Sequence, residues 1–399
     1  MAVYIGLKVS VYYHQIKGVF VMDKEINRFI VQNSEMLYQT LKELCQIPAP
    51  SHFEHKRAEY CKNWLEKHGA KSVYIDEALN VVFPINCEGS NEITVFAAHT
   101  DTVFPDKEPM PYYDDGKRIF CPGVADDTAS VVVLLLAAKY FIENRISPKN
   151  GIMFVFNSCE EGLGDLKGSR NLFNNFSNRI HAFITLDSVL DIVIDRAVGS
   201  HRYEVNVFTE GGHSFIKFGN CNAIAVLSSI INEIYNIEVP KKDGTKTTYN
   251  VGVIEGGTSV NTIAQSASML CEYRSDDKDC LAYMKHEFEK IFYKAAAKAN
   301  VTVKQVGNRP CSDIDASKTE ALKSKVVPII EETIGKKVVF NSGSTDCNIP
   351  LSLGIAAICI GTDIHEKTHT REEMIDKKSI QTGLEITIKT CLALTEEVL

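Results

Sequence analysis

Four short apolar runs, each leading into acids or histidines, constrain this chain more than any other feature. Ile93-Thr-Val-Phe-Ala-Ala98 leads into His99-Thr100-Asp101, and Gly151-Ile-Met-Phe-Val-Phe156 into Glu160-Glu161. His181-Ala-Phe-Ile-Thr-Leu186 leads into Asp187, and Ile355-Ala-Ala-Ile-Cys-Ile360 is followed by His369. Bounded runs of this length, rich in Val, Ile and Phe, read as buried strands of a parallel sheet. In an open α/β sheet, ligands bind beyond the carboxyl ends of the strands. The pattern therefore predicts one sheet edge where two histidines and several carboxylates gather. Imidazole with carboxylate is a donor set that suits zinc or a related transition ion.

Helical and strand signals alternate around these runs, which predicts an α/β layer fold. Ser51-His-Phe-Glu54 has the form of a capping box ahead of a helix running to about His68. Strands are expected at 72–75 and 80–85, and helices at 128–144 and 168–174. After about Ala197 the pattern changes to strand, helix, strand, strand, helix, strand, the ferredoxin-like order. Helix–strand alternation then resumes, with a helix expected at 319–334. This predicts a mostly parallel-sheet catalytic domain in two parts, 22–197 and 309–399. An α+β domain, 198–308, is inserted between them. Residues 1–21 read as an extension, because Met22-Asp-Lys-Glu looks like a protein start.

At 399 residues there is room for two domains with substantial cores. A net charge of -8 and no basic tract argue against nucleic-acid binding. No apolar run is long enough to span a bilayer, so no membrane association is expected. The twelve cysteines include no C-x-x-C pair and indicate neither a cysteine zinc site nor a disulfide framework. A cytoplasmic location fits them.

Taken singly, the motifs are weak. His99-Thr-Asp101 could be an ordinary loop pair, yet a metal-bound histidine needs a partner on its second ring nitrogen, which Asp101 could supply. Gly123-Val-Ala-Asp126-Asp127 could be an acidic helix start favoured by the helix dipole. It could equally supply a carboxylate bridging two cations. Glu160-Glu161 is more specific, since paired acids directly after a buried strand are costly without a role. One can ligate metal while its neighbour acts as general base. Asp187 alone is a plain strand-end acid. His213 and Asn261 lie in the insert and could be ordinary loop residues. Arg274, also there, is of a type suited to gripping a carboxylate. His365-Glu-Lys-Thr-His369 matches the H-E-x-x-H helix motif, but no apolar helix face accompanies it and threonine is a poor helix former.

The ordered set is far more specific than its members. His99-Thr-Asp101, Gly123-Val-Ala-Asp126-Asp127, Glu160-Glu161-Gly-Leu-Gly, Asp187, the insert with His213, Gly343-Ser-Thr-Asp346 and His369-Thr-Arg-Glu-Glu373 together resemble the M20 family of dinuclear metallopeptidases and amidohydrolases. The resemblance spans the chain from about Met22 onward, and residues 160–168 look most like the peptidase T branch. It implies two divalent ions per chain, zinc with cobalt or manganese as alternatives. One is held by His99, Asp126 and Asp187, the other by Asp126, Glu161 and His369, with Asp126 bridging. It implies Glu160 as general base and then acid, and Asp101 as the residue orienting His99. It also implies substrate contacts from His213, Asn261, Arg274 and Gly343, and a homodimer formed through the inserted lid, with His213 acting on the partner's site. Where many relatives have a different residue pair around the lid histidine, this chain has Gly-Gly-His-Ser.

The reading is a metal-dependent hydrolase of short peptides, di- or tripeptides. A deacylase of N-acyl amino acids uses the same machinery and stays open. An H-E-x-x-H peptidase and a non-catalytic binding relative are more remote.

Overall fold

The computed structural model describes residues 2–395, with side chains from Asp23 to Thr395. The first helix is Ala2–Cys45. The extension expected at 1–21 lies outside the residues whose side chains are described. Among the described residues, no helix is long and apolar enough to cross a membrane.

An eight-stranded sheet forms the centre. Its order is Tyr74–Ile75, Val81–Ile85, Gly151–Asn157, Ile93–His99, Ile180–Thr185, Ala356–Ile360, Ile192–Ala197 and Val339–Gly343. The four middle strands from Gly151–Asn157 to Ala356–Ile360 are mutually parallel. Val81–Ile85 and Ile192–Ala197 join antiparallel. Successive side chains of a strand face opposite sides, and each side has its own core. Phe96 and Ala98 belong to one, with Phe154 and Phe156. Val95 and Ala97 belong to the other, with Met153 and Val155. Burial on both faces is why these strands read as unbroken apolar runs rather than alternating ones.

The helix Ala129–Glu143 is also apolar on every side, and Val131 to Ala138 are at most 1% exposed. It lies between the sheet and the helices Ala2–Cys45 and Ser379–Thr395. Full burial of a Val or Leu side chain stabilises by about 1.5–3 kcal/mol, so this helix anchors the layer.

The second sheet is four-stranded and antiparallel, ordered Thr247–Gly256, Ser266–Ser275, Gly199–Phe208, Asn300–Arg309. The helices Ala223–Tyr235 and Lys278–Ala296 cover one face around a core of Tyr203, Tyr273, Met284 and Phe288. This is the expected ferredoxin-like insert. Its two connections to the central layer run side by side. The Ala197 N–H donates to Ser312 Oγ at 2.8 Å, Cys311 Sγ donates to the Ala197 carbonyl, and Ser200 pairs with Arg309.

One local expectation fails and some strands were unforeseen. The capping box does not form: the helix His55–Lys67 has no side-chain cap. Ser51 Oγ instead donates to Asp101 Oδ2 at 2.6 Å, and Glu54 Oε1 accepts the N–H groups of His52 and Cys159. The strand Ile192–Ala197 and a small sheet of Tyr113–Asp114, Arg118–Phe120, His365–Glu366 and Met374–Asp376 had no sequence signal. The small sheet's strands of two or three residues are too short to show a period, and Ile192–Ala197 is interrupted by Asp195 and Arg196.

Candidate active site

The strands Gly151–Asn157, Ile93–His99 and Ile180–Thr185 are adjacent and parallel, with His99 level with Asn157. Their carboxyl ends therefore release His99, Glu160, Glu161 and Asp187 at one edge, as the sequence predicts. Asp126 arrives from the loop before the long helix, and His369 from the segment after Ala356–Ile360.

Asp126 stands between the two histidines. Its Oδ1 lies 2.9 Å from His99 Nε2, and its Oδ2 lies 2.8 Å from His369 Nε2. His369 Nε2 also lies 3.2 Å from Glu161 Oε1. Donor atoms of His99, Asp126 and Asp187 fall within 4.8 Å of one another, as do those of Asp126, Glu161 and His369, and of His99, Glu160 and Glu161. His99 is wholly buried, whereas the His369 side chain is 54% exposed, so the cluster opens to solvent on that side.

The electrostatics test whether cations fit here. Burial, reinforced by the Asp126 charge, pushes the Asp187 carboxyl well above its ordinary range and the Glu161 carboxyl up to about 8. Burial also opposes the charge of Asp126, but hydrogen bonds from His369 and His99 outweigh it and hold that carboxyl below the usual range. The Asp126 and Glu161 contacts push His369 up to about 10. Two of the crowded carboxyls, Asp187 and Glu161, thus favour the protonated form, and Asp126 stays charged beside two imidazoles. Divalent ions release such protons on binding, because ligands coordinate deprotonated. The donors are nitrogen and oxygen only, a set for zinc or a related ion. The residues fit two cations sharing Asp126.

Further residues fix these donors. His99 Nδ1 lies 3.1 Å from the Asp101 carbonyl and 3.4 Å from its Oδ1. Asp101 also accepts the N–H of Glu160 at 2.9 Å and of Glu161 at 3.0 Å. It therefore fixes the acid pair as well as the imidazole. Asp127 Oδ2 accepts the His99 N–H at 3.0 Å. Arg57, fully buried, donates to the Thr100 carbonyl and to Thr128 Oγ1.

Sequence reasoning named Glu373 only as the end of a motif and missed Arg309 altogether. Glu373, wholly buried, accepts the N–H groups of Gly123, Ala125 and Asp126 at 3.1, 2.8 and 3.1 Å. Arg309, 4% exposed, donates from Nη1 to Glu160 Oε1 at 2.9 Å and to Ser344 Oγ at 3.1 Å. Its Nη2 donates to the Glu160 carbonyl. The Asn-Arg-Pro context gave no signal; only its place where the insert rejoins the layer could have raised it. Asp346 is buried nearby, holding Asn157 and Ser169, and burial with the Glu160 charge pushes it up to about 6.

None of the insert residues named in the sequence belongs to the groups of candidate ligands. Gly212–His213 pairs with Thr262–Ile263, which brings His213 beside Asn261 on one small ribbon. Both are exposed; His213 Nδ1 accepts the Phe215 N–H, and Asn261 Oδ1 accepts from Ser259. Arg274 forks onto Glu272 at 2.7 and 3.0 Å. Gly343 packs where a Cβ would meet Ile194 at 2.7 Å. The H-E-x-x-H reading finds no helix: His365–Glu366 is a strand, and Lys367 and His369 have positive φ. His365 Nδ1 pairs with Asp363 instead.

The sequence matches Peptidase family M20/M25/M40 over residues 95–393, and the chain belongs to that family. It is accordingly a hydrolase of peptide or amide bonds. A protein of Ajellomyces capsulatus assigned as a carboxypeptidase is 24% identical over 62% of this chain, which spans 62% of that protein's length. A Mycobacterium tuberculosis protein assigned as a succinyl-diaminopimelate desuccinylase is 22% identical over 86% of this chain and 94% of its own. A solved tripeptidase from Staphylococcus aureus superposes with a TM-score of 0.72 at 23% identity, covering 91% of this chain and 99% of that one.

Proposed function

We propose that this protein is a two-metal aminopeptidase of short peptides, di- or tripeptides. The observation that carries the reading is Asp126, whose two carboxylate oxygens face two different imidazoles, as a bridging ligand requires. His99, Asp126 and Asp187 hold one ion; Asp126, Glu161 and His369 hold the other; zinc is the ion proposed. When bound, such a pair polarises the scissile carbonyl and makes water acidic enough to attack near neutral pH.

Glu160 takes the proton from the attacking water and passes it to the leaving nitrogen. Asp101 keeps the acid pair and the His99 ring in place. Asn261 and Arg274 bind the substrate's polar ends, and Gly343 is a further substrate contact. The insert's outer strand Thr247–Gly256 is an edge with Val253 and Ile254 exposed. Such an edge can pair with a second copy. The protein we propose is a homodimer through this insert, with His213 donating to the developing oxyanion in the partner's site. The compartment we propose is the cytoplasm, which suits twelve free thiols, eleven of them buried.

The second reading, a deacylase of N-acyl amino acids, is favoured by the desuccinylase likeness. The deciding experiment loads purified protein with zinc, manganese or cobalt and supplies trialanine, dialanine and N-acetylalanine. The proposal expects fastest turnover on a peptide with a free amino terminus. Turnover of N-acetylalanine alone selects the deacylase, and turnover of none rejects both.

A further inference from the structure

Arg309 is the last residue of the strand Asn300–Arg309, where the insert rejoins the central layer. Its guanidinium is buried among Glu160, Glu161 and Asp346. One arm reaches the Glu160 carboxylate and Ser344 Oγ, and the other reaches the Glu160 carbonyl. The fork thus fixes the side chain of Glu160 relative to its own backbone, a two-point grip that a planar guanidinium offers and an ammonium does not. The same carboxylate lies within 4.8 Å of the His99 and Glu161 donor atoms. Glu160 therefore stretches from Arg309 to the donor cluster.

The neighbours of Arg309 tie the same loop to the insert. The Asn308 N–H donates to Asp165 Oδ1 at 2.8 Å, and Arg170 donates back to the Asn308 carbonyl. Arg202, on the strand paired with Asn300–Arg309, donates to the Gly162 carbonyl. The loop 160–165 is thus held from the insert at three points, Glu160 by Arg309, Gly162 by Arg202 and Asp165 by Asn308.

We infer that Arg309 is a positioning residue for Glu160, through which the insert sets the geometry of the general base. This rests on the proposed role of Glu160. A misplaced base loses rate rather than binding, because the group acts in the transition state. Among the described residues buried Arg309 Nε has no acceptor, so the contacts that fix the fork are those of the Nη atoms to Glu160 and Ser344.

The test measures steady-state kinetics of Arg309→Ala, Arg309→Lys, Glu160→Gln and the double variant Arg309→Lys/Glu160→Gln. The substrate is whichever of trialanine, dialanine and N-acetylalanine the wild type turns over fastest. Arg309→Ala should lower kcat by about 10–100-fold, within the range assigned to misplacement of reacting groups, with KM and metal content little changed. Free guanidinium should restore part of the rate. Arg309→Lys should also lose kcat, and should cost nothing further in the Glu160→Gln background. Wild-type kcat in Arg309→Lys overturns the inference, as does a loss confined to KM, which marks a substrate contact instead. If Arg309→Ala does not fold, Arg309→Lys decides by the same two outcomes. Wild-type kcat in Glu160→Gln overturns the role of Glu160, whatever Arg309 does. Where no substrate is turned over, thermal unfolding decides whether the two side chains are coupled. Non-additive midpoint shifts for Arg309→Lys and Glu160→Gln support the grip, and additive shifts overturn it.

Discussion

Glu373 Oε1 accepts the backbone N–H of Asp126 at 3.1 Å, across 247 residues of sequence. The same carboxylate holds Gly123 and Ala125, so the loop that presents Asp126 is shaped by one buried acid. Glu373→Gln places an amide N–H group against those donors. The variant should fold but bind metal about 10–100-fold more weakly, the usual cost of losing a group that orients a ligand. Metal titration of the apo variant reads this directly, and wild-type affinity would show that the loop holds its own shape.

Metal stoichiometry separates the shared ligand from the others. Wild-type protein should carry about two equivalents by elemental analysis. Asp126→Asn should lose both ions, Glu161→Ala and Asp187→Ala one each. His365→Ala should lose neither, since His365 points to Asp363. A single equivalent in active wild-type protein sinks the two-ion proposal.

Glu160→Gln should keep its fold and both ions yet lose turnover by about 10²–10⁴-fold, mainly in kcat. Gln is nearly isosteric but cannot take the proton. With metal content checked, a near-normal kcat would move the base to another acid such as Asp127.

A lid histidine acting across a dimer makes a prediction about mixtures. His213→Ala and Glu160→Gln should each be inactive alone. After subunit exchange, one of the two sites in each heterodimer pairs an intact Glu160 with an intact His213. An equimolar mixture should then recover roughly a quarter of wild-type activity, from the symmetry of a two-fold interface. A mixture that stays inactive despite proven exchange, or a monomer by light scattering, rules this out.

The clustering of His99, Glu160, Glu161 and Asp187 was legible because each follows a strand buried on both faces, and such strands announce themselves as apolar runs, whereas Asp126 and His369 come from loops and were legible only through the ordered motif set. The ferredoxin-like order was legible for another reason: the strands Gly199–Phe208 and Ser266–Ser275 alternate buried and more exposed residues, and helix N-caps stand at Asn222 and Asp277 where the helical pattern starts. What stayed hidden depends on contacts between distant segments. Glu373 is one of two adjacent glutamates, and nothing local distinguishes it from exposed Glu372. Arg309 looks like any arginine at a strand end until the fold brings Glu160 against it. The capping-box signal misled because Asp101 competes for the Ser51 hydroxyl from 50 residues away.

The insert leaves the central layer at Ala197 and returns at Arg309, through connections that touch. Entry and exit at one point make it a cassette. Its ribbon bearing His213 and Asn261 can be exchanged for another of different length while the strand ends bearing His99, Glu160, Glu161 and Asp187 stay untouched. Only the seam must be conserved in such a swap, because Arg309 belongs to both pieces. Grafting a foreign insert with its boundary outside Arg309 would import new selectivity and lose the grip on Glu160; a boundary drawn just inside it would keep both.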